Sequence, residues 1–270
     1  MGGRIVLCGS LSRWAVTLGA AMHEAGYRAL GLNWRYVPFE IDEARLGDAL
    51  SAMRTLGIRG FGVSMPFKLL VAARLDKLEP TAGRIGAVNT IVNDEGTLVG
   101  HNTDWLGAVR ALEEARTLAG ARVLVLGAGG AARAVAFGLR ERGAFVSLSN
   151  RTHARALELG GELGVDVVAW EHRERLQEFD VLVNASSLGM NTIDPASPVS
   201  ENALHGDLVV MDIVYKPRDT ELIRAGKKRA SMTIDGGRML LHQAAAQFEL
   251  YTQSPAPLQA MNAALLAHIQ

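Results

Sequence analysis

Short apolar runs alternate along this chain with longer stretches in which apolar residues return every third or fourth position. The first pattern reads as buried strand, the second as amphipathic helix. Arg4 to Gly9 reads as a strand, Ser10-Leu-Ser-Arg13 as a polar turn, and Ala15 to Leu30 as a helix. Asn33 to Phe39 alternates like a second strand, and Ile41 to Leu56 is an amphipathic helix ending at Gly57. Gly60 to Ser64 is a third strand, and Pro66, well suited to a first helical turn, opens a helix expected to reach Leu78. This alternation predicts a parallel sheet with crossover helices. Val88 to Val92 and Thr97 to His101 flank Asp94-Glu-Gly96, a hairpin signal, and Asp104 to Ala115 reads as a helix leaving the first domain.

A second series of elements begins at Val123. Strands are expected at Val123 to Leu126, Phe145 to Ser149, Val165 to Trp170, Val181 to Ala185, Leu208 to Ile213 and Ser231 to Ile234, with helices between most of them. That suffices for a six-stranded doubly wound sheet. Helical spacing resumes from Gly237 to Tyr251, Ser254-Pro-Ala-Pro257 breaks it, and a last helix runs to His268. The expected fold is α/β with two domains: an N-terminal α/β domain and a Rossmann-type, doubly wound domain, the C-terminal helices returning to the first. The boundaries are read as 1–105 with 239–270, and 106–238.

The first sharp chemical signal is Arg122-Val-Leu-Val-Leu-Gly-Ala-Gly-Gly-Ala-Ala132, a strand running into a glycine turn and a helix. Gly127 permits the turn, Gly129 lets backbone approach a pyrophosphate, and Ala132 allows close helix–strand packing. The helix then points unpaired N–H groups and its positive dipole end at the phosphates. About 20 residues on, where an NAD enzyme places an acid for the ribose, stands Asn150-Arg-Thr152, with Arg155 one turn further. Two guanidiniums and a hydroxyl suit a 2′-phosphate, so NADP(H) is expected over NAD; the alternative is a solvated arginine pair.

Length and charge narrow the partners. The 270 residues suit about two domains, and a formal net charge of zero, without a basic stripe, argues against nucleic acid and anionic membranes. A single cysteine, Cys8, leaves no disulfide framework, and the seven histidines show no metal-ligand spacing. No metal is expected. The strand-like start without a signal-peptide pattern, and the lack of an apolar run near ~20 residues, lead to the expectation of a cytoplasmic protein. The expected partner is a small-molecule substrate, and the chain a monomer or homodimer.

Candidate chemistry lies in the first domain. Lys68, in Val63-Ser-Met-Pro-Phe-Lys68, follows a strand's carboxyl end, where open α/β sheets bind ligands. Gly86-Ala-Val-Asn-Thr90 and Gly100-His-Asn-Thr-Asp104 flank the hairpin and supply Asn89, Asn102 and Asp104. Lys68 and Asp104 suit an acid–base pair beside a hydroxyl undergoing oxidation. A solvated lysine and an N-cap aspartate are the structural alternatives.

These blocks, with Asn184-Ala-Ser-Ser-Leu-Gly-Met190, Asp212-Ile-Val-Tyr215 and Met239-Leu-Leu-His-Gln-Ala244, resemble the shikimate dehydrogenase family over essentially the whole chain. The resemblance implies reversible reduction of 3-dehydroshikimate with NADPH, with Lys68 and Asp104 as the catalytic pair. It places Ser64, Asn89, Tyr215 and Gln243 at substrate positions. It places Gly127, Ala128, Gly129, Gly130, Ala131, Asn150, Arg151, Thr152, Arg155 and Ser186 along the cofactor, and Ile213 and Gly236 beside the nicotinamide.

The departures concern the substrate. The family's Ser-x-Ser-Pro, which holds the carboxylate, falls on Thr17, Gly19 and Ala20, whereas a Ser-Leu-Ser occurs earlier, at Ser10 and Ser12. This, with Ser-Met-Pro-Phe-Lys68 and the segment Gln247-Phe-Glu-Leu-Tyr-Thr252, resembles the shikimate dehydrogenase-like subgroup. Gly62 stands where Asn is usual, and Arg238 where a small residue is common. Ser10, Ser12 and Thr17 are therefore the carboxylate candidates. A quinate/shikimate dehydrogenase of relaxed specificity and a weakly catalytic NADP(H)-binding regulatory protein are the alternatives.

Overall fold

The computed structural model describes residues 4–14, 17–64, 66–229 and 231–269. The chain forms two compact units, one of residues up to Thr103 together with Gln243–His268, the other Asp104–His242. In the first, β1 (Val6–Ser12) is the strand around which the sheet assembles. α1 (Thr17–Ala29) leads from it to β2 (Trp34–Glu40), and α2 (Leu46–Thr55) leads on to β3 (Gly60–Val63). Both β2 and β3 pair with β1 in parallel. After β3 come α3 (Phe67–Leu70), β4 (Lys77–Leu78), α4 (Pro80–Ile85), β5 (Thr90–Asp94) and β6 (Thr97–His101). The strand order is β2-β1-β3-β5-β6-β4. β5 runs antiparallel to β3, so the sheet is mixed rather than wholly parallel. The β5–β6 hairpin turns on Glu95 (φ 48°) and Gly96 (φ 94°), the pair of positive angles that a two-residue type I′ turn requires.

The expectations differ from the structure at defined points. Ser10 and Ser12 belong to β1 rather than to a polar turn, because pairing with β2 continues to Ser12 opposite Glu40. The helix expected from Pro66 to Leu78 stops at Leu70. Lys77 and Leu78 are instead drawn into the sheet beside β6, and the Asp76 amide donates to the Leu98 carbonyl. The helix expected from Ile41 begins as a 3-10 turn at Glu43–Arg45.

The second unit opens with α5 (Asp104–Glu113). It continues through β7 (Arg122–Leu126), α6 (Gly130–Glu141), β8 (Phe145–Ser149), α7 (His153–Leu163), β9 (Asp166–Val167), β10 (Val181–Asn184), β11 (Val209–Asp212), α8 (Glu221–Lys228) and β12 (Met232–Ile234). Its six strands are ordered β12-β11-β10-β7-β8-β9 and all pair in parallel, as a doubly wound sheet demands. The strand expected over 165–170 shrinks to two residues at the sheet edge, followed by a 3-10 turn at Trp170–His172. The central strands are apolar on both faces, with Val123 to Leu126 and Val181 to Val183 fully buried, because helices cover both sides.

α9 (Gly236–Thr252) crosses the boundary, its residues from Gln243 onward belonging to the first unit with α10 (Leu258–His268). There α10 packs along α1. Two glycines admit the aromatic side chains of α9. A Cβ at Gly26 would lie 2.7 Å from the Phe248 ring, and one at Gly60 would lie 2.2 Å from that of Tyr251. His23 lies in the same layer, its ring stacked on Tyr36 at 4.4 Å. Burial lowers its pKa to about 4, so the ring is neutral near pH 7. Neither nitrogen has a hydrogen-bond partner of normal geometry, although Gln247 approaches closely enough to favour the protonated ring.

Gly60→Ala would force the buried Tyr251 ring from its seat. The substitution is expected to lower the unfolding free energy by about 1–3 kcal/mol, measured by urea denaturation; an unchanged midpoint would contradict this packing.

Candidate active site

In the first unit the candidate residues gather at the carboxyl ends of β1 and β3 and at the start of β5. Ser64 directly follows β3; its amide donates to the Leu11 carbonyl and its carbonyl accepts from Phe67. Lys68, the second residue of α3, is half-buried, and its carbonyl accepts from the Val88 amide at 2.8 Å. The short segment between strand and helix thus fixes the lysine to the loop that carries Asn89.

Asn89 is the polar centre of this unit. Its Oδ1 accepts from the Thr103 amide at 2.7 Å and the Thr90 hydroxyl at 2.8 Å. Its Nδ2 donates to Thr103 Oγ1 at 3.0 Å and to Gln243 Oε1 at 3.3 Å. Gln247, one turn further along α9, donates to the Asn89 carbonyl and to Thr90 Oγ1. Two predicted substrate residues, Asn89 and Gln243, are therefore brought into direct contact. Thr90, Thr103 and Gln247 join them without having been singled out by the sequence, although the i, i+4 spacing of Gln243 and Gln247 is a usable signal. Asn102 donates to the Ala87 carbonyl and helps close the hairpin base.

The carboxylate candidates separate. Ser12 is buried and its hydroxyl donates to the Trp14 carbonyl. Ser10, half-buried, lies opposite Gly62 in the β1–β3 register. Thr17 opens α1 with an exposed side chain.

Asp104 belongs to the second unit, where it is the first residue of α5 rather than its cap, buried to 4% exposure. A carboxylate in the first turn is favoured by the helix dipole. At the far end of α5, Glu114 receives the Arg238 guanidinium and His242 Nε2, the latter at 2.8 Å. Burial opposes the Glu114 charge, but the hydrogen bonds and Coulomb attraction of Arg238 and His242 outweigh it and hold its carboxyl below the ordinary range. Arg238, a departure in the sequence, is thus engaged by the residue that follows α5.

The glycine turn fits a pyrophosphate. Gly127 adopts φ 125°, and a Cβ there would meet the Ala185 carbonyl oxygen at 2.7 Å. At Gly129 and Gly130 an added Cβ would meet nothing within 4 Å, and no side chain caps α6, leaving its amide end open to an anion. Ala128 lies in the same turn and Ala131 at the start of α6, both only partly buried. At the end of β8, Asn150 Nδ2 donates to the Thr152 carbonyl. Thr152 precedes α7, and Arg151 and Arg155 are exposed around it.

A third group forms where β10 and β11 end. Asn184 Oδ1 accepts from the Ser186 hydroxyl at 2.7 Å, and its Nδ2 donates to Asp212 Oδ1 at 3.0 Å. Asp212, fully buried, also accepts from the Val214 amide and the Thr220 hydroxyl. This holds the loop bearing Ile213 and the half-buried Tyr215, whose pKa burial raises. Gly236 presses on that loop, since a Cβ there would lie 2.5 Å from the Ile213 carbonyl oxygen. The two positions expected beside the nicotinamide are therefore adjacent, and only glycine fits at one of them.

Family models for the shikimate dehydrogenase substrate binding domain, shikimate/quinate 5-dehydrogenase and the shikimate 5′-dehydrogenase C-terminal domain match residues 15–91, 110–236 and 236–266. The chain belongs to the shikimate dehydrogenase family. The shikimate dehydrogenase (NADP(+)) of Haloarcula marismortui is 42% identical over 259 residues, covering 94% of this chain and 95% of the relative. A crystal structure of shikimate dehydrogenase in complex with NADP+ superposes with a TM-score of 0.93 at 33% identity, covering 98% of this chain and 96% of that one. The Thermus thermophilus enzyme in complex with NADP(H) and shikimate gives a TM-score of 0.90 at 36% identity, covering 97% of this chain and 99% of that one. Among the described residues no helix is long and apolar enough to cross a membrane, and no cluster of His, Cys, Asp and Glu is suited to a metal ion.

Asp212 supplies a test by pH. Burial, against its three donors, raises its pKa from 3.8 to about 6. Between those values the folded chain binds more protons than the unfolded one, so this group's contribution to stability falls as pH rises. The unfolding free energy of the wild type relative to Asp212→Asn should therefore drop by roughly 2–3 kcal/mol from about pH 3.5 to pH 7. His23 slopes the opposite way and cancels in the difference. A pH-independent difference in urea denaturation would contradict the assignment.

Proposed function

We propose that this chain catalyses the reversible, NADP-linked interconversion of shikimate and 3-dehydroshikimate. The observation that carries the reading is the buried Asn89 network, which joins Asn89 to Gln243 next to the Val88 amide that holds the Lys68 carbonyl. Relatives named shikimate dehydrogenase (NADP(+)) over nearly the whole chain support the substrate and cofactor.

NADP(H) supplies the hydride acceptor or donor. The open amide end of α6 with Gly127, Ala128, Gly129, Gly130 and Ala131 would hold its pyrophosphate. Asn150, Arg151, Thr152 and Arg155 would hold the 2′-phosphate, which two guanidiniums bind and a carboxylate would repel. Ser186, Ile213 and Gly236 would line the nicotinamide end. Ser10, Ser12 and Thr17 are the groups for the substrate carboxylate, and Ser64, Asn89, Tyr215 and Gln243 those for the ring hydroxyls.

In oxidation, neutral Lys68 takes the proton of the reacting hydroxyl while Asp104 orients the lysine and that hydroxyl. In reduction, the Lys68 ammonium donates to the developing alkoxide, where charge appears only in the transition state. The substrate-domain reading covers 1–105 with 239–270, and the cofactor-domain reading 106–238.

Lys68→Ala and Asp104→Asn are each expected to lower kcat with shikimate and NADP by about 100-fold or more, while NADPH binding measured by calorimetry stays within about threefold. Near wild-type kcat in both variants would remove these roles.

A further inference from the structure

One buried hydroxyl in the first unit lies among β1, β3 and α1, and no role assigned above uses it. Tyr36 projects from β2 with 6% of its surface exposed, its ring held by stacking on His23. Its hydroxyl reaches past β1, with the Ser10 side chain and the Gly62 backbone as polar neighbours. A Cβ at Gly62 would lie 2.8 Å from the Tyr36 oxygen and 3.4 Å from the Gln247 amide nitrogen. The hydroxyl thus occupies space that any larger residue at position 62 would claim. From α1, a Cβ at Gly19 would lie 3.8 Å from the same oxygen, close enough that a serine there would place a second hydroxyl beside it.

Two positions without side chains, 19 and 62, therefore face one phenol oxygen, and Ser10 stands beside it. Ser12, the other serine of β1, is already engaged with the Trp14 carbonyl. We propose that Tyr36 is a positioning residue for substrate specificity: its hydroxyl fixes the Ser10 hydroxyl toward the substrate's carboxylate, in place of a hydroxyl on position 19. This rests on the reading of Ser10 as a carboxylate ligand in the proposed function. The hydroxyl is rigid because stacking on the buried, neutral His23 sets the ring, so little conformational freedom is lost when the anion binds.

The test is Tyr36→Phe, which keeps the ring and its stacking and removes one oxygen. The KM for shikimate should rise about tenfold with kcat within about twofold, while the KM for shikimate methyl ester, uncharged at that end, should move less than about twofold. Adding Gly19→Ser to Tyr36→Phe should recover most of the shikimate KM. Adding Tyr36→Phe to Ser10→Ala should cost little beyond Ser10→Ala alone, because both act on one interaction. Equal rises for acid and ester, or an unchanged shikimate KM, would overturn the proposal while leaving the dehydrogenase reading intact. A wild-type chain that does not turn over shikimate with NADP would overturn the dehydrogenase reading and this proposal with it.

Discussion

The first unit depends on satisfying one buried amide. Asn89 is 1% exposed, and an amide there without partners would cost about 1–3 kcal/mol per missing hydrogen bond. Thr90, Thr103 and Gln243 bond to the side chain, and the Gln247 amide takes its carbonyl. These partners come from the hairpin, from the segment after β6 and from α9, so the return of the C-terminal helix is a condition for burying the asparagine. Gly60 and Gly26 then follow from packing, because the aromatic residues that accompany Gln247 on α9 need their room.

The second unit solves a similar problem at its strand ends. Asn184 and Asp212 are fully buried and bond to each other, to Ser186, to Thr220 and to loop backbone. Each holds a loop that bears candidate cofactor positions, and Gly236 is pressed against one of them. The glycine turn after β7 is the complementary case, in which backbone amides are left open at a helix start. Polar groups buried with partners give rigidity here, and polar groups left open give a place for an anion.

Much of this is legible in the sequence because it depends on local pattern. The parallel strands of the second unit, the type I′ hairpin and the glycine turn each carry their own residue signature. Legibility fails where tertiary pairing overrides local preference. Ser10 and Ser12 read as a turn but are kept in β1, Ser10 by strands on both sides and Ser12 by β2, and Lys77 and Leu78 leave a helical pattern to join β6. The meeting of Tyr36 with Gly19 and Gly62 is illegible for the same reason, since three separate elements bring them together. Arg238 looks like an intrusion where a small residue is common, and only the fold reveals Glu114 as its partner.

Substrate and cofactor choice test the proposed activity most directly. Steady-state NADP reduction, reported as kcat/KM for shikimate, quinate and close cyclic hydroxyacids, with NAD in parallel, compares them in one experiment. The highest value is expected for shikimate with NADP. A shikimate value far below that of quinate or another analogue, or a preference for NAD, would contradict the assignment.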